Sequence, residues 1–475
     1  MRILLVWPIP SPAIDVLIKG LTDEGHEIVY WVGYNSVSHL TPKGAIFHDH
    51  YDAWEGGRAP ALENTPIEPT SASLIGRYHH IESIALSMMD KRYGDRNVYE
   101  RKHVYYSMLA YWNFVLETYK PDAVIFATIP HSVYNYILYE LARERGILTP
   151  CFEDTWIAGR LLFYQDFWHG SDEFRRALAQ SKGAKLSDLP IDLREYYERF
   201  TKSEEQPAYM TLQKRTSTGF GKLLHRMRIA AKNLASGRTL LILWEHARLA
   251  FSENLSKEYS RFVSQVDGDE PFVYFPLHMQ PERTTCPQGG VYNDQILIAE
   301  TVAAALPEGW SLLVKEHPSQ WWIRDKTRYS NARFRGYYER LARIPRVKLV
   351  PTFTNTFSLT RKSKAVVTVM GTAGWEALLR GVPVLIFGYP WYRDCGGVTS
   401  VSSVSECAAA LEAVRIGVLR PTEKDIFAFL KALDTVGIRA FIDSIIGGAE
   451  NISYTESLTE ISRALNSYLR QRRVP

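Results

Sequence analysis

Short apolar runs, bounded by Gly, Pro or charged residues, alternate with helix-patterned segments in two separate parts of the chain. RILLVW (2–7) has the pattern of a buried strand, 11–24 that of a helix, and HEIVYWV (26–32) that of a second strand, with Gly25 placed to end the helix. A polar, helical pattern then continues to about Tyr119. DAVIFAT (122–128), HSVYNYILYELARERG (131–146) and ILTPCF (147–152) read as strand, helix and strand, an alternation that implies parallel strands with helical crossovers. From about 155 to 265 the pattern is mostly helical and irregular, and FVSQVDGDEP (262–271) is polar enough to be a linker. Alternation restarts with strands at 272–277, 311–316, 346–350, 364–370 and 383–388. Helices are predicted between them at 292–305, 334–343, 354–361 and 372–381, and after them at 404–415, 422–435 and 455–471.

The predicted class is α/β, with two facing Rossmann-like domains and a helical insertion in the first. The first domain spans 1–265 with its basic insertion at about 155–265, the second spans 272–453, and a terminal helix, 454–475, crosses back. A length of 475 residues agrees with two cores rather than one. The net charge of +4 is too small to argue for a nucleic-acid partner. The four cysteines lie far apart without a C-x-x-C pair, which argues against a zinc site or disulfide framework and for a reducing cytoplasm. No apolar run approaches the ~20 residues of a membrane span. The amino-terminal run is broken by Pro8, Pro10 and Pro12, so it reads as strand and loop rather than leader.

Three strand ends carry candidate chemistry, because open α/β sheets hold ligands at their carboxyl ends. In VTVMGTAGWEALLRG (367–381), Gly371 makes a turn, Thr372 is placed to cap a helix, and the amides of Ala373 and Gly374 form an anion site. Glu376, one turn in, is placed to accept hydrogen bonds from vicinal hydroxyls such as those of a ribose. In WSLLVKEHPSQWW (310–322), Lys315, His317 and Pro318 close a strand with groups suited to a phosphate. In YFPLHMQPER (274–283), His278 and Glu282 follow a strand facing the interdomain cleft. Glu282 suits a base or nucleophile there, or else a salt bridge to Arg283 or Arg324. In the first half, His131, Glu153 and Asp154 sit at strand ends where each could orient an acceptor hydroxyl.

The order of KEHP and then GTAGWEALLRGVPVLIFGYPWY (371–392) resembles the bacterial capsule polysaccharide biosynthesis proteins, over roughly 272–392. These include the Kdo transferases of capsule assembly and relatives that move other nonulosonic acids. The resemblance implies a glycosyltransferase B fold and a CMP-activated donor, with His317 and Pro318 at the CMP phosphate. His278-x-x-x-Glu282 stands where the Kdo transferases have Q-x-x-x-D, so a carboxylate is kept while both residue types change. It further implies a glycan or lipid-linked glycan acceptor, no cofactor and no metal. UDP-sugar enzymes of the same architecture, 2-epimerases included, and a non-catalytic assembly partner are the alternatives. Segment 213–238 carries seven Lys or Arg and no acidic residue. It is either a solvated helical face or a contact with anionic lipid on the inner face of the cytoplasmic membrane.

Overall fold

A computed structural model of the protein describes residues 1–202, 253–264, 270–281, 285–322, 327–444 and 451–472. The described residues form two six-stranded sheets. The first contains β1 (Arg2–Val6), β2 (Glu27–Gly33), β3 (Ile46–Asp49), β4 (Ala123–Phe126), β5 (Cys151–Asp154) and β6 (Leu161–Tyr164), in the order β3-β2-β1-β4-β5-β6. The second contains β7 (Phe272–Pro276), β8 (Ser311–Lys315), β9 (Val347–Leu349), β10 (Ala365–Thr368), β11 (Val384–Ile386) and β12 (Val398–Ser400), in the order β12-β11-β10-β7-β8-β9. Both domains are therefore Rossmann-like. In each, the strand order reverses beside the first strand, so a crevice opens at the carboxyl ends of β1 and β4 and of β7 and β10.

The apolar runs became strands because β1, β7 and β8 are packed on both faces, as parallel sheets covered by helices require. Three short strands were not legible as such. β3 (IFHD) is half polar and β12 (VTS) is a partly exposed edge. β6 departs from the mostly helical and irregular reading of 155–265, since it pairs antiparallel with β5 along its whole length.

Two connections place the halves. The helix Leu255–Phe262 sides with the second sheet, where the Tyr259 hydroxyl donates to the carbonyl of Val350 at 2.5 Å and the Ser264 amide to that of Leu349 at 2.8 Å. After the helix Val404–Arg415, the helix Glu423–Val436 lies against Asp172–Gln180 of the first domain, with Phe174 and Phe429 rings 5.0 Å apart. The terminal helix Tyr454–Arg470 then packs on Ile14–Thr22, where Asn466 Nδ2 donates to the Gly20 carbonyl at 2.9 Å. No helix among the described residues is long and apolar enough to cross a membrane. The basic segment 213–238 and Glu282 lie outside the described residues.

Candidate active site

The glycine turn closes the β7/β10 crevice from the β10 side. Thr368 ends β10, and its Oγ1 accepts the Gly371 amide at 3.0 Å. Gly371 is the N-cap of the helix Thr372–Leu378, so Thr372 is the first helical residue and not the cap that its sequence position suggested. The Gly374 amide donates to the Gly371 carbonyl at 3.0 Å and is thereby used. Among the described residues no acceptor meets the amides of Thr372 and Ala373, and these are the turn's two open donors. Both glycines are explained by close packing. A Cβ on Gly371 would lie 3.0 Å from His278 Cε1, and one on Gly374 would lie 2.2 Å from the Tyr392 hydroxyl. That hydroxyl donates to the Gly371 carbonyl at 2.5 Å, so the space beside Gly374 holds a tyrosine rather than a ligand.

His278 braces the same turn. Its Nε2 accepts from the Val369 amide at 3.3 Å and lies 3.1 Å from Thr368 Oγ1, which leaves the ring proton on Nδ1. Burial, reinforced by His317 and Arg333, lowers its pKa to about 3. Neutral and committed at Nε2, His278 shapes the turn and offers at most its Nδ1–H to a ligand.

The KEHP strand end divides its charges between structure and site. Lys315 Nζ donates to the Thr354 carbonyl at 2.5 Å and to Thr356 Oγ1 at 2.7 Å, and burial lowers its pKa to about 8. Glu316 is fully buried and accepts from the His317 amide at 2.7 Å, the Tyr338 hydroxyl at 2.6 Å and Arg333 Nε at 3.1 Å. Arg333, equally buried, also donates to the His278 carbonyl at 2.8 Å and to Gln280 Oε1, and stacks on Tyr337. His317 Nδ1 accepts the Ser319 amide at 3.2 Å, so Nε2 holds the proton. Burial first, then Lys315 and Arg333, lower its pKa to about 4. His317 is thus a neutral donor, and Pro318 turns the chain behind it into the short helix Ser319–Trp322. Glu376 completes this side. No protein donor among the described residues reaches its carboxylate, and burial, opposed by Arg380, raises its pKa to about 7. Glu316 and Arg333 were missed as site-forming residues. A lone arginine in an irregular segment has no local signature, and Glu316 read only as one of three charges.

On the first domain, the β1/β4 crevice holds a cavity of about 200 Å³ lined by Pro8, Tyr34, His50, Trp54, Lys91 and His131, among others. His131 Nδ1 donates to the Ile129 carbonyl at 2.8 Å, which turns the Nε2 lone pair of the neutral ring away from that bond. Glu153 accepts from the Tyr164 hydroxyl at 2.9 Å and, across the domains, from Gln288 Nε2 at 3.2 Å. Burial raises its pKa to about 7. Asp154 is not an acceptor-orienting group: its two oxygens accept the amides of Ile442 and Asp443, each at 3.0 Å, and anchor the crossing segment. A second cavity, of about 310 Å³, lies between Ser87–Lys91 of the first domain and the 280–295 and 331–337 segments of the second. Among the described residues no group of three or more His, Cys, Asp or Glu is placed to hold a metal ion.

Several solved structures match the chain at low identity and low TM-score. The UDP-GlcNAc 2-epimerase of Methanocaldococcus jannaschii is 12% identical, covering 98% of this chain and 100% of its own, at a TM-score of 0.25. The calicheamicin glycosyltransferase CalG4 is 11% identical with full coverage of both chains, at 0.26. The KpsC β-Kdo 2,7-transferase of Thermosulfurimonas dismutans is 11% identical, covering 63% of this chain and 79% of its own, at 0.30. Superpositions at such scores say nothing of substrate. No curated protein matches the chain. The family described as capsule polysaccharide biosynthesis protein matches residues 252–413, which hold both the KEHP strand end and the glycine turn. By that match this part of the chain is similar to the capsule polysaccharide biosynthesis family.

Proposed function

We propose that the protein is a glycosyltransferase of bacterial surface polysaccharide assembly that moves Kdo or another nonulosonic acid from a CMP-activated donor to a glycan or lipid-linked glycan. The observation that carries this reading is the donor set at the β7/β10 crevice. It comprises two open amides at Thr372 and Ala373, the Nε2–H of His317, and the unpartnered carboxylate of Glu376. Amides and imidazole suit one phosphate, and Glu376 suits a ribose diol. Lys315 and Arg333 are already bonded within the protein, so the set is better matched to a monophosphate linkage than to a diphosphate.

In the proposed transfer the bond from the anomeric carbon to the CMP phosphate breaks as the acceptor oxygen bonds to that carbon. The acceptor proton passes to a base, and CMP leaves with its new charge met by the amides and His317. Glu282 is the proposed base or nucleophile. Main-chain and imidazole donors meet the leaving group, so chelator should leave the rate unchanged. Segment 213–238 is proposed to hold the enzyme on anionic lipid, which flotation with anionic liposomes at low salt tests directly.

Titration of the protein with CMP, UDP and GDP by calorimetry tests the donor class. Selective CMP binding, lost in His317→Ala, supports the proposal. A preference for UDP refutes it and favours a UDP-sugar transferase or epimerase, while no binding of any of the three favours a non-catalytic assembly partner.

A further inference from the structure

From the contacts across the cleft we infer that Glu153 is a positioning residue that latches the first domain to the second, and that closing the latch takes up a proton. This goes beyond the proposed function, because it concerns how the two domains are held together whatever nucleotide they bind.

Geometry carries the argument. Glu153 lies in β5, and its two oxygens are met from different domains. Oε2 accepts the Tyr164 hydroxyl of β6 at 2.9 Å, and Oε1 accepts Gln288 Nε2 of the second domain at 3.2 Å. Gln288 is buried, and its Nε2 also donates to the Tyr389 carbonyl at 3.0 Å, which fixes the nitrogen toward Glu153. Arg393 joins the domains beside this contact by donating to the carbonyls of Phe167 and Trp168. The latch reaches the glycine turn through packing. The Gln288 and Val369 carbonyls both close on Gly388, where a Cβ would lie 2.8 and 2.9 Å from them. The Val369 amide is the one that His278 Nε2 accepts, two residues before Gly371. A shift of Gln288 therefore presses on the residue that leads into the turn.

The contact is proton-linked because Glu153 has no ion-pair partner among the described residues. The groups that face it are Cys151 and Asp154 on its own strand, Tyr164 on β6, and Tyr392 and Arg393 from the second domain. Burial keeps Cys151, Tyr164 and Tyr392 neutral, and Asp154 and Arg393 act in opposite senses. Burial of Glu153 itself then dominates and raises its pKa to about 7, against an ordinary 4.5. Part of that burial comes from Gln288, Tyr392 and Arg393, so it exists only while the domains meet. The joined state therefore holds the proton more tightly than the parted state. The advantage this gives the joined state is complete below about pH 4.5 and is lost as pH rises through 7. When protonated, Glu153 can still accept from Gln288 at Oε1 and can donate to Tyr164 from Oε2. The neutral form thus fits the same contacts without the cost of a buried charge.

The test uses the full chain with a dye pair at Lys43→Cys and Glu308→Cys, exposed positions that precede β3 and β8, while the native cysteines are buried. Single-molecule energy transfer counts joined and parted molecules. From pH 6 to pH 8 the joined-to-parted ratio should fall several-fold, with about tenfold as the limit set by a pKa of about 7. Glu153→Gln, which imitates the protonated group, should keep the ratio at its pH 6 value throughout. Gln288→Ala removes the partner across the cleft and should lower the ratio at both pH values. Circular dichroism on each variant separates parting from unfolding. A ratio that ignores pH, a pH response that survives in Glu153→Gln, or an unchanged ratio in a folded Gln288→Ala overturns the inference.

Discussion

Replacing Arg333 by Met should cost the second domain about 3–5 kcal/mol, because it breaks a fully buried ion pair and leaves one charge behind. Arg333 and Glu316 are both inaccessible to solvent and 3.1 Å apart. The guanidinium also donates to the His278 carbonyl and to Gln280, so the variant strips three buried acceptors at once. Glu316 would keep the Tyr338 hydroxyl at 2.6 Å and the His317 amide at 2.7 Å, which together hold the loss toward the lower end of that range. Adding Glu316→Gln removes the stranded charge, and the double variant should recover about 1–2 kcal/mol relative to Arg333→Met alone. Urea unfolding monitored by circular dichroism reads both differences from midpoint and slope. A shift below about 1 kcal/mol for Arg333→Met, or strict additivity of the two substitutions, would refute the view that this pair is an interior brace. The same variant should lose CMP binding, since His278 and His317 hang from the network that Arg333 ties together.

Gly374→Ala should displace the Tyr392 hydroxyl from the Gly371 carbonyl and weaken CMP binding at least tenfold, with Tyr392→Phe in the same chain restoring part of it. Failure of the second substitution to help would show that the clash lies elsewhere. Glu376→Ala should weaken CMP about tenfold but leave 2′,3′-dideoxy-CMP unaffected, a comparison calorimetry makes directly. Burial holds the pKa of His48 at about 4, below its ordinary value of 6.5. Its neutral form therefore stabilises the fold fully above about pH 6.5, and that contribution is lost as pH falls toward 4, by about 3 kcal/mol in all. His48→Phe should flatten that part of the acid unfolding curve; parallel curves for both proteins would contradict the burial argument.

What the sequence disclosed and what it hid divide along physical lines. Long apolar runs such as 272–277 and 311–316 could only be buried strands, and the crossovers between them dictated parallel sheets. Four-residue strands at 46–49 and 161–164 lack enough alternation to register, and pairing with a neighbour, not local propensity, makes them strands. The glycine turn was visible because Gly, Thr and small residues after a strand have few uses. Which amides it leaves open was not, because that depends on the folded turn, where Thr368 Oγ1 takes the Gly371 amide and the Gly371 carbonyl takes the Gly374 amide. Lys315 and Asp154 show the converse: each is a charged residue at a strand end, as a ligand group should be, and each spends its hydrogen bonds on backbone a long way off in sequence.

The glycine turn proposed to hold the donor and the domain contact share one helix, and this bears on how the cleft works. Trp375, one turn into the helix that Gly371 caps, donates through Nε1 to the Tyr196 hydroxyl of the first domain at 2.9 Å. Its ring also packs at 5.2 Å on Phe429, from the helix that meets the first domain at Phe174. Tyr392 stands beside Trp375 and holds the Gly371 carbonyl, and Arg393, next in sequence, donates across the cleft to the carbonyls of Phe167 and Trp168. A displacement of the first domain at Tyr196 or Trp168 is therefore felt by the residues that fix the open amides. Trp375→Phe keeps the ring and removes the hydrogen bond to Tyr196. If domain contact tunes the turn, it should weaken CMP binding several-fold with little loss of stability; unchanged affinity would show that the two domains meet there without influence on the donor site.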